Sequence, residues 1–383
     1  MSHPSIPYGW HHLDDADIAA VVEVLRHGLL TQGDVVARFE QAVAAYCGAR
    51  HAVACNSATS ALLLAYRALG LTTGNELWTA AIGFVATASS ALHCGATVDF
   101  VDVDAASAHL DVVALEARLD AAARAGQVPR VLVPMHYGGR SCDMAAIAAL
   151  ARTHGVRIVE DAAHALGARH ADGTLVGNCR YSDIVVFSFH PVKSITAGEG
   201  GMALTDDTIL AERMARLRSH DIDRGETAAR GAWHYEIREP GYNFRLTDIQ
   251  AALGLSQLRR LDAFVARRRQ LAARYRQGLA HLPLHLPPAD NAAASAWHLY
   301  PVRLHDSRRR RALFDYLRSV GIGTQVHYIP LYRLGLFRAS HPAPDRYPGA
   351  ERFYAGVLSL PLFPSLTEAE QTRVIAEVAR GLA

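Results

Sequence analysis

Short apolar runs alternate with segments of helical period along the first part of the chain. The runs lie at residues 51–55, 77–80, 98–103, 131–136, 156–160, 184–189 and 202–205. Most are continuously apolar rather than alternating, the pattern of strands buried on both faces of a parallel sheet. Helical periodicity marks residues 59–69, a segment from Phe84, and residues 112–125. Two amphipathic helices, 14–27 and 35–47, come first, with the loop GLLTQGD (28–34) between them. Seven strand candidates with interleaved helices predict a large α/β domain on a mostly parallel sheet. From Thr247 the pattern TDIQAALGLSQLRRLDAFVARRRQLAARYRQGL reads as one extended helix to about residue 279, long enough to bridge two domains. Beyond His281, the Pro-rich PLHLPPAD opens a smaller α+β region, with a strand near 299–304, a helix near 308–320 and a last helix from Glu368. The expected division is a large domain over 1–250, including an N-terminal segment, and a bridging helix with a small C-terminal domain over 251–383.

A chain of 383 residues can bury two such cores. No apolar run reaches membrane-spanning length. The N-terminus, MSHPSIPYGWHHLDDADI, lacks the basic-then-apolar order of a secretory signal. The five cysteines are scattered without a CxxC pair, which predicts a reducing, cytoplasmic setting, thiols that serve as core filler, and no metal. A net charge of +2 gives no polyanion-binding surface, so neither nucleic acid nor membrane is an expected partner. The runs Arg267 to Arg269 and Arg308 to Arg311 read as solvated helix faces.

Candidate chemistry centres on residues 184–202, IVVFSFHPVKSITAGEGGM. Of the 39 cationic Lys and Arg residues, Lys193 is the only lysine. Arg would serve a salt bridge or phosphate contact equally well, but cannot give up its proton near neutral pH and attack a carbonyl. A chain that writes Arg elsewhere and Lys here points to Schiff-base chemistry, with pyridoxal phosphate the natural partner. Lys193 follows a strand at its C-terminal end, where open α/β sheets place ligands. Gly198, Gly200 and Gly201 would let the backbone pass close to a flat cofactor. Ser188 is either a phosphate ligand or a turn residue.

Three further stretches fit the same cofactor. Asn56-Ser-Ala-Thr-Ser-Ala-Leu62 opens a helix after a strand, so Ala58, Thr59 and Ser60 could offer donors to a phosphate, or Ser57 and Thr59 could simply cap the helix. At Glu160-Asp161 another strand ends. A carboxylate facing the ring nitrogen keeps it protonated, and alternation along the strand assigns Asp161 to the cofactor and Glu160 to the other face. His164 is either near the ring's phenolate oxygen or a packed core residue, and Phe84 either stacks on the ring or belongs to the core.

The segments NSATSALL, GFVATASSAL, EDAAHALGA, FSFHPVKSITAGEGG, RSHDI, GYNFRLTDIQAALGLSQL and LSLPLFPSLTEAE resemble the DegT-type sugar aminotransferases, from about Ile6 to the C-terminus. That resemblance implies the pyridoxal-phosphate-dependent type I (aspartate aminotransferase) fold. It assigns Lys193 as the Schiff-base lysine, Asp161 as the ring-nitrogen partner, Ser188 with the Ala58–Thr59 turn as phosphate ligands, Phe84 as the stacking ring, and His164 near the phenolate. Asn243 would reach the phosphate of a neighbouring subunit in a homodimer. Tyr8, the loop Gly28, Leu29, Leu30 and Thr31, and His327, Tyr328, Ile329 and Pro330 would line the substrate site. Family members often carry Gly at the position of Ala58 and Thr at that of Gly83. Within the family, IPYG, LLTQG, NSATSALL and VHYIPLY are most similar to the branch of pseudaminic acid biosynthesis. This branch implies glutamate as amino donor and a UDP-linked 4-keto-6-deoxy sugar as acceptor. A 3-keto or dTDP-linked sugar is the alternative. A nicotinamide dehydrogenase is disfavoured by the absence of GxGxxG between strand and helix. A non-catalytic protein on this fold would have lost Lys193 or Asp161, and both are present.

Overall fold

The apolar runs pair into one seven-stranded sheet: β1 (His51–Cys55), β2 (Glu76–Ala80), β3 (Thr97–Val101), β4 (Val131–Val133), β5 (Arg157–Asp161), β6 (Ile184–Ser188) and β7 (Gly201–Thr205). The computed structural model describes residues 5–225, 230–290, 292–341 and 343–383. The strand order is β1-β7-β6-β5-β4-β2-β3. Five strands from β3 to β6 pair in parallel, and β7 runs against both its neighbours. The connection from β6 to β7, residues 189–200, contains no helix. An antiparallel pair needs none, whereas a parallel pair requires a crossover.

Both faces of the sheet are covered, and side chains sort between them with the period of two that strands impose. On β6, Ile184 and Val186 enter one core while Val185 and Phe187 enter another. On β7, Ala203 joins the first core and Met202 and Leu204 the second. The almost wholly buried helix Ala58–Ala68 packs in the first core and Phe39 and Val43 of helix Asp34–Cys47 in the second. This two-sided burial is why the strands read as unbroken apolar runs.

A third core gathers around a three-stranded sheet of β10 (Leu284–His285), β11 (Tyr300–Leu304) and β12 (Val357–Leu360), after a short hairpin of β8 (Ile222–Asp223) and β9 (Glu236–Ile237). Helix Leu261–Leu279 runs between cores: Leu261, Phe264 and Val265 sit in the second, and Leu271, Ala272, Tyr275 and Leu279 in the third. Ile6 joins the third core and pairs with Ile322, which brings the N-terminal segment over the small sheet.

Several expectations need correction. The extended helix from Thr247 is two helices, Asp248–Leu258 and Leu261–Leu279. At the break, the Arg259 and Arg260 N–H groups bond three residues back, to Ser256 and Gln257. Arg260 turns to pair with Asp14 at 2.8 Å and with Asp17. Tertiary pairing interrupts the helix, while the apolar period continues across it. The run 131–136 is a strand only to Val133, because Pro134 brings no N–H to the ladder. The Arg267 to Arg269 run is not a solvated face: Arg268 is 0% exposed, and Arg267 and Arg269 donate to the carbonyls of Leu366 and Ser295, each at 2.9 Å.

Of Gly198, Gly200 and Gly201, the tightest steric demand is at Gly201, for a reason other than a flat ligand. Cys55 and Ser188 are both level with Gly201 in the register. A Cβ there would lie 2.3 Å from the Ser57 carbonyl carbon and 2.4 Å from the Ala58 nitrogen. Gly201 therefore lets the start of helix Ala58–Ala68 sit directly on β7. Gly201→Ala should lower stability to urea by about 1–3 kcal/mol through overpacking; an unchanged denaturation midpoint would contradict this account.

Candidate active site

The C-terminal ends of β1, β5 and β6 meet at one edge of the sheet, above a cavity of about 1010 Å³. That is at the top of the usual range for small-molecule sites, about 300–1000 Å³. Lys193 enters from the connection after β6 and Asp161 from the end of β5, its parallel neighbour. Opposite these, the start of helix Ala58–Ala68 forms a wall.

Burial lowers the basicity of the Lys193 amine to about 8, against an opposing pull from the Asp161 carboxylate. Part of the amine is therefore uncharged near neutral pH. Asp161 is 3% exposed. Thr87 Oγ1 donates to its Oδ2 at 2.5 Å and the Ala163 N–H to its Oδ1 at 3.1 Å. Its strand neighbour Glu160 points to the opposite face. There it meets His136 Nε2 at 2.6 Å and accepts from Ser182 Oγ at 2.5 Å. Burial works to raise the Glu160 carboxyl, but His136 and Ser182 hold it below the ordinary carboxylate value. The alternation expected along this strand is present, with Asp161 on the cavity side.

At the helix start, Ser57 acts as N-cap and takes the Ser60 N–H at 3.1 Å. Ser60 Oγ donates to Asn56 Oδ1 at 2.6 Å. Ser60 is thus engaged within its own turn. The Ala58 and Thr59 N–H groups, in the first turn, have no intrahelical acceptor and form the positive end of the helix dipole. All three residues line the cavity together with Ser188. Free N–H donors and a hydroxyl on one side, with a buried carboxylate and an amine elsewhere, suit a ligand with a phosphate and a basic ring nitrogen. Pyridoxal phosphate has both.

His164 lines the cavity with both ring nitrogens engaged. The Gly138 N–H donates to Nδ1 at 3.3 Å, which leaves the ring proton on Nε2, 3.1 Å from the Tyr328 hydroxyl. Meeting a phenolate oxygen through a nitrogen would require one of these bonds to open; as arranged, His164 offers its ring. Phe84 caps helix Val85–Leu92 and is 53% exposed, so it is not a core residue. Its ring centre lies 6.1 Å from that of Tyr328.

Tyr8, His327, Tyr328 and Ile329 also line the cavity, while Pro330 is buried outside it. Burial and the nearby Lys193 charge lower the basicity of His327 to about 4. Asn243 and the loop Gly28, Leu29, Leu30 and Thr31 are exposed and do not line the cavity of their own chain. The sequence reading missed Met135, Gln250 and His298, which do. Gln250 carried a signal, since Thr247 and Gln250 form a capping box. His298 carried none.

The DegT/DnrJ/EryC1/StrS aminotransferase family model matches residues 11–379. Among curated relatives, the spore coat polysaccharide biosynthesis protein SpsC of Bacillus subtilis (strain 168) is 37% identical over 382 residues, covering 97% of this chain and 96% of SpsC. Among solved structures, Helicobacter pylori PseC, an aminotransferase involved in the biosynthesis of pseudoaminic acid, superposes with a TM-score of 0.90 at 32% identity, covering 99% of both chains. The PLP form of the putative sugar aminotransferase Spr1654 from Streptococcus pneumoniae gives 0.89 at 29% identity, covering 98% of both.

The two carboxylates of β5 can be separated experimentally. Asp161→Ala should lower turnover on the order of a hundredfold or more and weaken cofactor retention. Glu160→Ala should instead act on stability, by about 3–5 kcal/mol, through the buried partner it strands. Equal cofactor loss in the two variants, measured by absorbance after gel filtration, would mean that the wrong carboxylate faces the ligand.

Proposed function

The chain belongs to the DegT/DnrJ/EryC1/StrS aminotransferase family, and we propose that it moves an amino group from glutamate to the 4-keto position of a UDP-linked 4-keto-6-deoxy-N-acetylhexosamine. In this reading it is a UDP-4-amino-4,6-dideoxy-N-acetyl-β-L-altrosamine transaminase of pseudaminic acid biosynthesis. The observation that carries the chemistry is the cavity that brings the chain's one lysine together with Asp161 and a helix N-terminus. The likeness to PseC and the segments IPYG, LLTQG and VHYIPLY support the choice of acceptor.

Pyridoxal phosphate, the cofactor of these aminotransferases, would supply an electron sink for the charge left when a proton leaves the substrate carbon. The Ala58 and Thr59 N–H groups and the Ser188 hydroxyl would bind its phosphate. Asp161 would hold the proton on its ring nitrogen, and Phe84 and His164 would flank the ring. Lys193 has the low basicity needed to add to a carbonyl as a free amine. Its uncharged form could take a proton from one carbon and return it to another. His164, His298 and His327 are all held uncharged at neutral pH, each chiefly by burial. Along with Tyr8, they give the acceptor side polar walls without added charge, suited to the hydroxyls of a sugar.

Asn243 and the 28–31 loop have no ligand to meet within their own chain, so we assign them to the site of a second copy. Asn243 would donate to the phosphate as a neutral amide. Mixing Lys193→Ala with Asn243→Ala should then restore part of the activity, because mixed dimers contain one site free of both lesions. No recovery despite proven subunit exchange would confine each site to one chain. Acceptor identity is tested by product analysis after incubation with glutamate and a panel of nucleotide-linked keto sugars. The UDP-linked 4-keto-6-deoxy sugar should be aminated fastest at C4, and faster turnover of a 3-keto or dTDP-linked sugar would overturn the assignment.

A further inference from the structure

Among the described residues, Arg268 is the largest fully buried side chain, at 0% exposure, and no described carboxylate pairs with it. A guanidinium out of water is costly unless its donors are met. Here the Nη groups are met by main-chain carbonyls. Nη1 donates to Leu362 at 2.9 Å, Trp297 at 3.3 Å and His298 at 3.4 Å, and Nη2 to Val192 and Lys193, each at 3.4 Å. Nε is without a partner. For stability alone, an apolar side chain of similar volume would serve as well or better.

The five carbonyls come from three segments far apart in the chain. Val192 and Lys193 belong to the β6–β7 connection, Trp297 and His298 lead into β11, and Leu362 follows β12. The side chains of Val192, Lys193 and His298 line the cavity. Leu362 extends the linkage, since its N–H donates to the Tyr8 carbonyl at 3.0 Å and Tyr8 is another wall. One planar fork, rigid in the way that an ammonium is not, thus spans the seam between the large sheet and the small one.

We infer that Arg268 is a positioning residue of the active site, holding the main chain at Lys193 in a fixed relation to the walls at His298 and Tyr8. The inference rests on the assignment of Lys193 as the reactive amine. The distance from that amine to an acceptor sugar depends on how the two sheets meet, and the guanidinium fixes that meeting at Lys193 itself. Displacements of about 1 Å at reacting atoms can cost two orders of magnitude in rate. The surroundings of Lys193 also set its basicity. Asp161 faces it from β5, His164 from the segment after β5, His190 from its own connection, His298 from the approach to β11, and His327 from the segment before β12. A shift of the Lys193 backbone alters all five relations together.

The test uses Arg268→Lys, Arg268→Gln and Arg268→Met in the full-length protein. The pH profile of Lys193 labelling by an amine reagent is read in the apoenzyme, with Lys193→Arg as the blank for the N-terminal amine. Wild type should be labelled at Lys193 with a midpoint below the ordinary lysine range; no labelling of Lys193 at any pH would mean that its assignment as the reactive amine fails, whatever Arg268 does. The inference predicts that folded Arg268 variants shift this midpoint and lower kcat about tenfold or more with a smaller change in KM. Arg268→Lys should retain more activity than the neutral variants. Folded variants with the wild-type labelling profile and kcat would overturn it. So would the failure of all three variants to fold, which would assign Arg268 to stability alone.

Discussion

The arrangement depends on β7 running against the sheet. Because β7 is antiparallel to β6, the chain can return without a crossover helix, and the returning loop stays at the edge where β1, β5 and β6 end. That loop carries Lys193. The register then brings Cys55, Gly201 and Ser188 level, so the helix after β1 begins beside the end of β6. Three separate stretches of sequence come together as one site because a single strand is reversed, and Gly201 removes the one side chain that would hold them apart.

Charge is divided by the pleat of β5. Glu160, on the rear face, is satisfied by His136 and Ser182 in a closed polar pair. Asp161, on the front, receives two hydrogen bonds and keeps its face to the cavity. Lys193 is buried beside it, and the neighbouring histidines are too buried to carry charge at neutral pH. The result is a site with one basic amine and one buried carboxylate among uncharged histidines, with a second carboxylate, Glu199, on the exposed part of the lining. Such an environment gives an amine nucleophilic character without adding positive charge beside it.

Much of this was legible in the sequence, for identifiable reasons. Lys193 stood out because every other Lys or Arg position is Arg. Asp161 could be chosen over Glu160 because strand alternation is a local rule. The seven large-sheet strands were visible because burial on both faces leaves long apolar runs. Features that depend on distant partners were not visible. The break at Arg260 follows from its pairing with Asp14 and Asp17, more than 240 positions away. Arg268 lies in an arginine run with the spacing of a solvated face, and only the packing of the two sheets buries it. His298 reaches the cavity from the approach to the small sheet, with no motif around it.

The central claim is that Lys193 is the residue to which pyridoxal phosphate attaches, and a chain with one lysine allows a direct test. The holoenzyme is reduced with borohydride, digested, and its peptides mapped by mass spectrometry. The account predicts a single internal peptide carrying the reduced cofactor, the one containing Lys193, with near-stoichiometric labelling. Labelling confined to the N-terminal amine, or cofactor lost on denaturation after reduction, would contradict it.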